Sequence, residues 1–174
     1  MLRKQYIITT AVIFLICLLN ACSSKDPDRY YSKKDDFSVK LPKDWETKEG
    51  VAVFSVISYC SPENSADQNR SSVFVVVAQS SSDVGLDEYF DMCVAKMKEQ
   101  LTDFQYKKGT ASINETDAKW LIYSGRSGTI NLKGKEYYVV RGKRGYAIGY
   151  AGTPDRYDRY QRAFEEIVQS FEFE

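Results

Sequence analysis

The chain has 174 residues, with 24 basic and 24 acidic side chains and no histidine. This balance provides no basic excess for binding nucleic acid. The absence of histidine excludes Ser-His-Asp and Cys-His nucleophilic sites and removes the commonest transition-metal ligand. The sequence also lacks a glycine-rich phosphate-binding motif and a paired Cys-x-x-Cys motif. We therefore predict no cofactor, no metal site and no enzymatic activity.

The N-terminus has the pattern of an export signal. Arg3 and Lys4 precede an apolar run at residues 6–19, and Cys22 follows shortly after. The run is about 14 residues long, short of the roughly 20 that a membrane-spanning helix requires. We therefore predict that this segment is removed. Arg3 and Lys4 leave with it, so 22 of the 24 basic residues remain against 24 acidic ones, a net charge of −2.

The residues around Cys22 resemble a known processing site. The sequence "LNAC", residues 19–22, is similar to the lipobox of bacterial lipoproteins, although Asn20 is less usual at its position. The resemblance implies that residues 1–21 are a signal peptide and that Cys22 becomes a lipidated N-terminus carrying acyl chains such as palmitate. It also implies a membrane-anchored envelope protein. Ser23 after the cysteine implies the outer membrane, facing the periplasm.

The sequence after the signal divides into a tether and one domain. Residues 22–35 are polar, and we predict a short tether between lipid and domain. Residues 36–174 are enough for a single domain with its own core.

The first half of the domain contains three predicted strands and a helix. Ser72–Gln79 has an unbroken apolar run, so we expect it at the centre of the sheet. Residues 85–101 place apolar side chains at helical spacing, with Ser82 or Asp83 as the expected cap. The predicted strands are Phe37–Pro42, Val51–Tyr59 and Ser72–Gln79.

The second half is rich in strands and ends in another helix. Lys143 and Arg144 lie between two strand patterns, which is typical of a hairpin. Thr153 and Pro154 are the expected N-cap and first residue of the last helix. Residues 126–134 are expected to be a loop or a ragged strand start. The remaining predicted strands are 104–114, which is irregular, and 118–125, 135–142 and 145–152.

Large and small side chains alternate along the last predicted strand. Small side chains allow another element to approach closely, so we expect the C-terminal helix to pack against the small face. The large face carries Tyr146, Ile148 and Tyr150, and the small face carries Ala147, Gly149 and Ala151.

The order of elements indicates an α+β fold with a mainly antiparallel sheet and helices on its faces. Four stretches in this order resemble the PsbP-like family, which includes the photosystem II extrinsic protein and DcrB-type envelope proteins. The resemblance implies an α/β/α sandwich and an accessory or binding role without a shared enzymatic activity. The four stretches are residues 37–45, 85–98, 135–160 and 164–173.

Two candidate sites follow from the residues alone. Cys60 and Cys93 are the thiols that remain outside the signal and the lipid acceptor, and an exported protein can keep a disulfide, so one hypothesis pairs them. The alternative is that they are packing residues. Lys143 and Arg144 form a basic turn that either binds an anionic ligand or is a solvated hairpin tip.

These observations predict a lipid-anchored, non-catalytic accessory module that binds another envelope protein. The alternative is a carrier of a small ligand or ion at the membrane surface. A pocket with converging polar groups would favour the carrier, whereas a flat aromatic patch would favour protein contact.

Overall fold

The computed structural model describes residues 26–64 and 69–174. The predicted signal peptide and Cys22 lie outside these residues. The described chain forms two antiparallel sheets and two helices, so the predicted α+β class is confirmed. The strands are β1 (Arg29–Ser32), β2 (Phe37–Lys40), β3 (Glu46–Val51), β4 (Phe54–Tyr59), β5 (Ser72–Gln79), β6 (Thr102–Ile113), β7 (Thr116–Ser127), β8 (Ile130–Arg141), β9 (Arg144–Gly152) and β10 (Glu172–Phe173), and the helices are α1 (Leu86–Gln100) and α2 (Pro154–Gln169).

The larger sheet has seven strands in the order β3-β4-β5-β9-β8-β7-β6. β5 and β9 pair near its middle, from Ser72 opposite Ala151 to Gln79 opposite Arg144. The interior position predicted for β5 is therefore correct. A smaller sheet of β1, β2 and β10 brings the two ends of the described chain together.

The stretch predicted as a tether is structured in its second half. Residues 29–32 form β1, which pairs with β2. The Arg29 guanidinium donates to Ser38 Oγ at 2.9 Å and to the Ser170 carbonyl at 2.6 Å. These bonds attach β1 to β2 and to the segment that follows α2. Local polarity does not reveal them, because each bond depends on where the tertiary structure places its partner.

Each face of the larger sheet carries one helix and one core. On one face, α2 packs its aromatic stripe against the large side chains of β9: the ring centroids of Tyr150 and Tyr157 are 5.6 Å apart, and those of Tyr150 and Phe164 are 5.7 Å apart. On the other face, α1 lies across β6, β7 and β8. The core under α1 contains Tyr89, Phe90, Val94, Leu121, Tyr123, Tyr138 and Ala147.

The prediction that the C-terminal helix packs on the small face of β9 is therefore wrong. α2 covers the large face, because its rings pack against Tyr150 and its apolar stripe joins the core that contains Tyr146 and Ile148. The small face takes the start of α1, where the Tyr89 ring stands over Gly145.

The helix starts show one correct and one incorrect cap. α2 begins at Pro154 after Thr153, as predicted. α1 begins after Gly85 and has no side-chain cap, so the prediction of Ser82 or Asp83 is wrong. The chain before α1 is instead held against the β8–β9 turn, where Val84 N–H donates to the Gly142 carbonyl at 3.1 Å. Within the described part of the chain, neither helix is long and apolar enough to cross a membrane.

The strands β6, β7 and β8 are longer and more regular than predicted. Each has 12 residues, and they are joined by tight turns. Asn114 and Glu115 both have positive φ, which matches a two-residue hairpin turn. Gly128 has φ of 60°, so residues 126–134 are two strand ends and a turn, not a loop.

Candidate functional site

A deep groove lies beside α1 on the small face of the sheet. A single 15-residue helix cannot cover seven strands, and α1 lies over β6, β7 and β8. The neighbouring surface of β4, β5 and β9 is left without a helix above it. The resulting groove has a volume of about 840 Å³. Ligand-binding clefts in proteins commonly measure roughly 300–1,000 Å³.

The groove is lined mainly by apolar side chains, with polar residues such as Arg70, Lys96 and Gln100 among them. Its depth comes from the small side chains of β9, since Ala147 and Ala151 leave space above the sheet that larger residues would fill. The α1 wall carries two methionines and Cys93, and the opposite wall is the β3–β4 turn. The main apolar lining residues are Phe54, Phe74, Val76, Met92, Met97, Ile130 and Leu132.

One carboxyl group lies at the floor of this apolar groove. Glu136 on β8 is 8 % exposed and lies opposite Gly149 of β9. Tyr138 O–H donates to Glu136 Oε2 at 2.8 Å, and the Tyr123 hydroxyl also bonds this carboxyl. Burial raises the pKa of Glu136, and the two tyrosine hydrogen bonds oppose that rise. Within the described residues, Glu136 has no ion-pair partner.

The sequence matches the family model of PsbP-like proteins over residues 20–173. The chain belongs to the PsbP-like protein family. The resemblance drawn from four short stretches is therefore confirmed at the level of the family. No significant relative was found among curated protein sequences.

Solved structures share the fold of this PsbP-like protein at low sequence identity. CyanoP, the cyanobacterial PsbP of Synechocystis, has a TM-score of 0.62 and 14 % identity, with coverage of 90 % of this chain and 99 % of CyanoP. LpqN of Mycobacterium tuberculosis, described as involved in cell envelope biogenesis, has a TM-score of 0.63 and 11 % identity over 78 % of this chain and 81 % of LpqN. PA94 of Pseudomonas aeruginosa, a protein of unknown function, has a TM-score of 0.58 and 16 % identity over 82 % and 93 %.

The two cysteines of the PsbP-like domain lie on opposite faces of the sheet. Cys93 lines the groove, whereas strand alternation places the buried Cys60 on the same face as Val56, which belongs to the core under α2. Both thiols are free in the structure, so the hypothetical disulfide is not formed there. The sheet between them is the physical reason. Burial raises the pKa of the Cys93 thiol to about 11, so this thiol is protonated at neutral pH.

In the predicted basic turn, Arg144 is bound to other residues of the protein and Lys143 is exposed. The Arg144 guanidinium pairs with Asp36 and donates to Gln79 Oε1 at 2.9 Å. It thereby ties the β1–β2 turn to the β8–β9 hairpin. Lys143 is exposed at the hairpin tip. An anionic-ligand site here stays a prediction, and Arg144 would have to exchange these partners to join it.

Two other expectations concern Cys22 and metal binding. Cys22 lies outside the described residues, so its lipidation stays a prediction. Among residues 26–64 and 69–174, no group of three or more Cys, Asp or Glu side chains is arranged to hold a metal ion.

Sequence reasoning missed Glu136, although a signal was present. In "KEYYVV", alternation puts Glu136 and Tyr138 on one face of a strand that continues into an apolar run. A carboxylate two residues from a buried tyrosine on an interior strand is unusual. Its position indicates a polar group that the fold needs or uses.

We expect Glu136→Gln to raise the free energy of unfolding at pH 7 by on the order of 1 kcal/mol. Because burial raises the folded-state pKa of Glu136, the folded protein is stabilised below the unfolded-state pKa. That stability is lost as the pH rises through the folded-state pKa. A tenfold difference between the folded-state and unfolded-state acid dissociation constants corresponds to about 1.4 kcal/mol. Glutamine removes the charge and keeps an oxygen for the Tyr138 hydroxyl.

Urea denaturation between pH 4 and pH 8 measures this difference. The free energy of unfolding of Glu136→Gln, relative to that of the wild type, should increase as the pH rises. Glu99→Gln, an exposed substitution on α1, should have the wild-type free energy of unfolding at every pH. Parallel curves for Glu136→Gln and the wild type would refute a buried, charge-destabilised carboxylate.

Proposed function

We propose that this PsbP-like protein is a lipid-anchored, non-catalytic binding protein of the bacterial cell envelope, and that the groove along α1 holds a small amphiphilic ligand. One observation carries the proposal: a mainly apolar cleft of about 840 Å³ that has, among the residues the structure describes, one carboxyl group at its floor. Apolar walls with a few converging polar groups are the usual composition of a small-molecule site.

The depth of the groove favours a small ligand over a flat protein contact. Glu136 lies beneath the level of the α1 wall, so a planar partner surface cannot reach it. Met92 and Met97 form part of that wall. Methionine side chains are flexible and adapt to irregular apolar shapes, which suits a site that admits ligands.

The envelope location rests on the N-terminal segment and on one structural relative. The lipobox-like residues 19–22 make Cys22 the acceptor of a lipid anchor. β1 begins seven residues after Cys22, so the connecting chain spans at most roughly 25 Å. The domain would then remain close to the membrane surface, most consistently the outer membrane on its periplasmic side. LpqN, which shares the fold, is described as involved in cell envelope biogenesis.

A second candidate function, binding another envelope protein, is favoured by the rim of the groove. Val53 at the β3–β4 turn is 69 % exposed, and Met92 across the groove is 42 % exposed. Exposed apolar side chains on both sides of a cleft are typical of surfaces that partners cover. A partner that inserts a side chain into the groove would use the same site.

Binding of N-phenyl-1-naphthylamine, an uncharged dye that fluoresces in apolar surroundings, tests the small-ligand proposal. The protein used is the mature chain with Cys22→Ser, so that its own acyl chains do not compete. We expect dye binding in this protein and at least a tenfold loss of affinity on Ala151→Trp, which fills the groove floor.

Ala163→Trp is the matched control, since Ala163 is exposed on α2 on the opposite face. It should bind the dye as the parent does, and circular dichroism should show that both variants are folded. Equal dye affinities for the two tryptophan variants, or no dye binding by the parent, would rule out the groove as a small-ligand site.

A further inference from the structure

We infer that Glu136 is the polar anchor of the groove and that the ligand it selects is an amphiphile with a positively charged ammonium head and an apolar tail. This inference rests on the proposed small-ligand function and adds the chemical class of the ligand.

The carboxyl group of Glu136 can accept more hydrogen bonds than it receives from the protein. A carboxylate has about four acceptor positions on its two oxygens. The hydroxyls of Tyr138 and Tyr123 occupy two of them. Opposite Glu136, β9 contributes Gly149, and the space above this glycine is occupied by the Phe74 ring, which has no hydrogen-bond donor. These neighbours therefore leave acceptor positions of the carboxylate that a ligand group reaching the groove floor can fill.

The charge of Glu136 favours a cationic ligand group. Glu136 is a buried carboxylate without an ion-pair partner among the described residues, and a buried charge is costly until an opposite charge reaches it. The cationic side chains of the groove do not supply that charge. The Arg70 guanidinium pairs with the Glu46 carboxylate at 2.6 Å and donates to the Tyr59 carbonyl. Lys96 is exposed at the mouth of the groove. A ligand ammonium group would supply it, whereas a ligand carboxylate or phosphate at the same depth would repel Glu136.

The side chains around Glu136 favour a ligand with an apolar tail. Between the mouth and Glu136 the walls are Met97, Phe74 and other apolar side chains. An alkyl or aromatic tail would contact them while the head reaches the floor. Tyr123 and Tyr138 act as positioning residues, because their hydroxyls hold the carboxylate in one orientation.

Ligand binding should also depend on pH through one group. The ionisable side chains around Glu136 are Tyr138 on its own strand, Tyr123 on β7, and Tyr89 and Cys93 on α1. Burial raises the pKa of all four of these neighbours, so they remain neutral below pH 8. Glu136 is then the group of this cluster whose ionisation, as the pH rises through its raised pKa, would change the charge at the groove floor.

The test compares three competitors with the same ten-carbon tail: decylammonium, decanol and decanoate, each below its micelle concentration. They displace N-phenyl-1-naphthylamine from the mature chain carrying Cys22→Ser. We expect decylammonium to bind at least tenfold more tightly than decanol, and decanoate more weakly than decanol. In Glu136→Gln the ratio of decylammonium to decanol affinity should fall to about one. The decylammonium affinity should rise with pH in the parent and stay flat in Glu136→Gln.

Equal affinities for decylammonium and decanol in the parent, or a preference that survives Glu136→Gln, would overturn this inference while the groove remains a ligand site. If none of the three competitors displaces the dye, or the dye does not bind, the proposed function itself fails. Glu136→Gln is expected to be at least as stable as the parent, so a lost preference cannot be attributed to unfolding.

Discussion

Replacing Cys22 with alanine should abolish incorporation of an alkyne-labelled palmitate into the full-length protein. The diacylglycerol thioether requires the cysteine sulfur, so alanine offers no acceptor. The anchor lost is large, because each buried methylene contributes about 0.8 kcal/mol and stable attachment requires two or more acyl chains. Intact-mass measurement gives a second readout. The wild-type chain should begin at residue 22 with added acyl mass, and the alanine variant should show no such species.

Cys17→Ala is the control for this experiment, because it removes a thiol from the apolar run and leaves Cys22 in place. It should take up label as the wild type does. Label retained in Cys22→Ala, or a wild-type chain that begins elsewhere, would show that the lipobox-like sequence is incidental and that the protein is anchored in another way.

Gly145→Ala should lower the free energy of unfolding by about 1–3 kcal/mol, the usual effect of overfilling a packed core. A Cβ atom at this position would lie within 3.0 Å of three ring atoms of Tyr89. Tyr89 is 2 % exposed and belongs to the core under α1, with its ring centroid 6.1 Å from that of Tyr138. The ring therefore cannot move without displacing α1 from the sheet. Urea denaturation monitored by circular dichroism measures the change.

Gly85→Ser provides the matched glycine control. A Cβ atom at Gly85 meets nothing within 4 Å, and serine is favourable at the N-cap position that Gly85 occupies. We expect its stability to equal or slightly exceed that of the wild type. If Gly145→Ala were as stable as Gly85→Ser, the close contact between α1 and β9 would be wrong.

Much of the fold could be predicted because local periodicity reports which side chains share a face. Tyr146, Ile148 and Tyr150 share one face of β9 as alternation requires, and α2 begins at Pro154 as its capping pattern predicts. The strand β1 and the long strands β6 to β8 could not be predicted as well. β1 has only four residues, and the many polar residues of β6 and of the strand ends around the Gly128 turn give a weak periodic signal.

The candidate site was harder to predict than the fold. Glu136 lies on a strand that alternation identifies, yet its importance depends on Gly149 opposite it and on the hydroxyls of Tyr123 and Tyr138. Cys60 and Cys93 illustrate the reverse case. An exported location permits a disulfide between them. The spacing of two cysteines in the sequence does not reveal that the sheet separates them.

The amino-acid sequence by itself determined the α+β class, both helices, most of the strands, the faces of β9 and the family, and it carries the prediction of a lipid anchor at Cys22. It missed β1, β3 and β10, and the predicted strand Val51–Tyr59 is the end of β3, a turn and β4. Only the tertiary structure decided that α2 covers the large face, that α1 covers part of the small face, and that a groove with Glu136 at its floor remains beside α1. The physical reason is that periodicity assigns side chains to a face, whereas the element that covers the face is selected by packing between segments far apart in the chain.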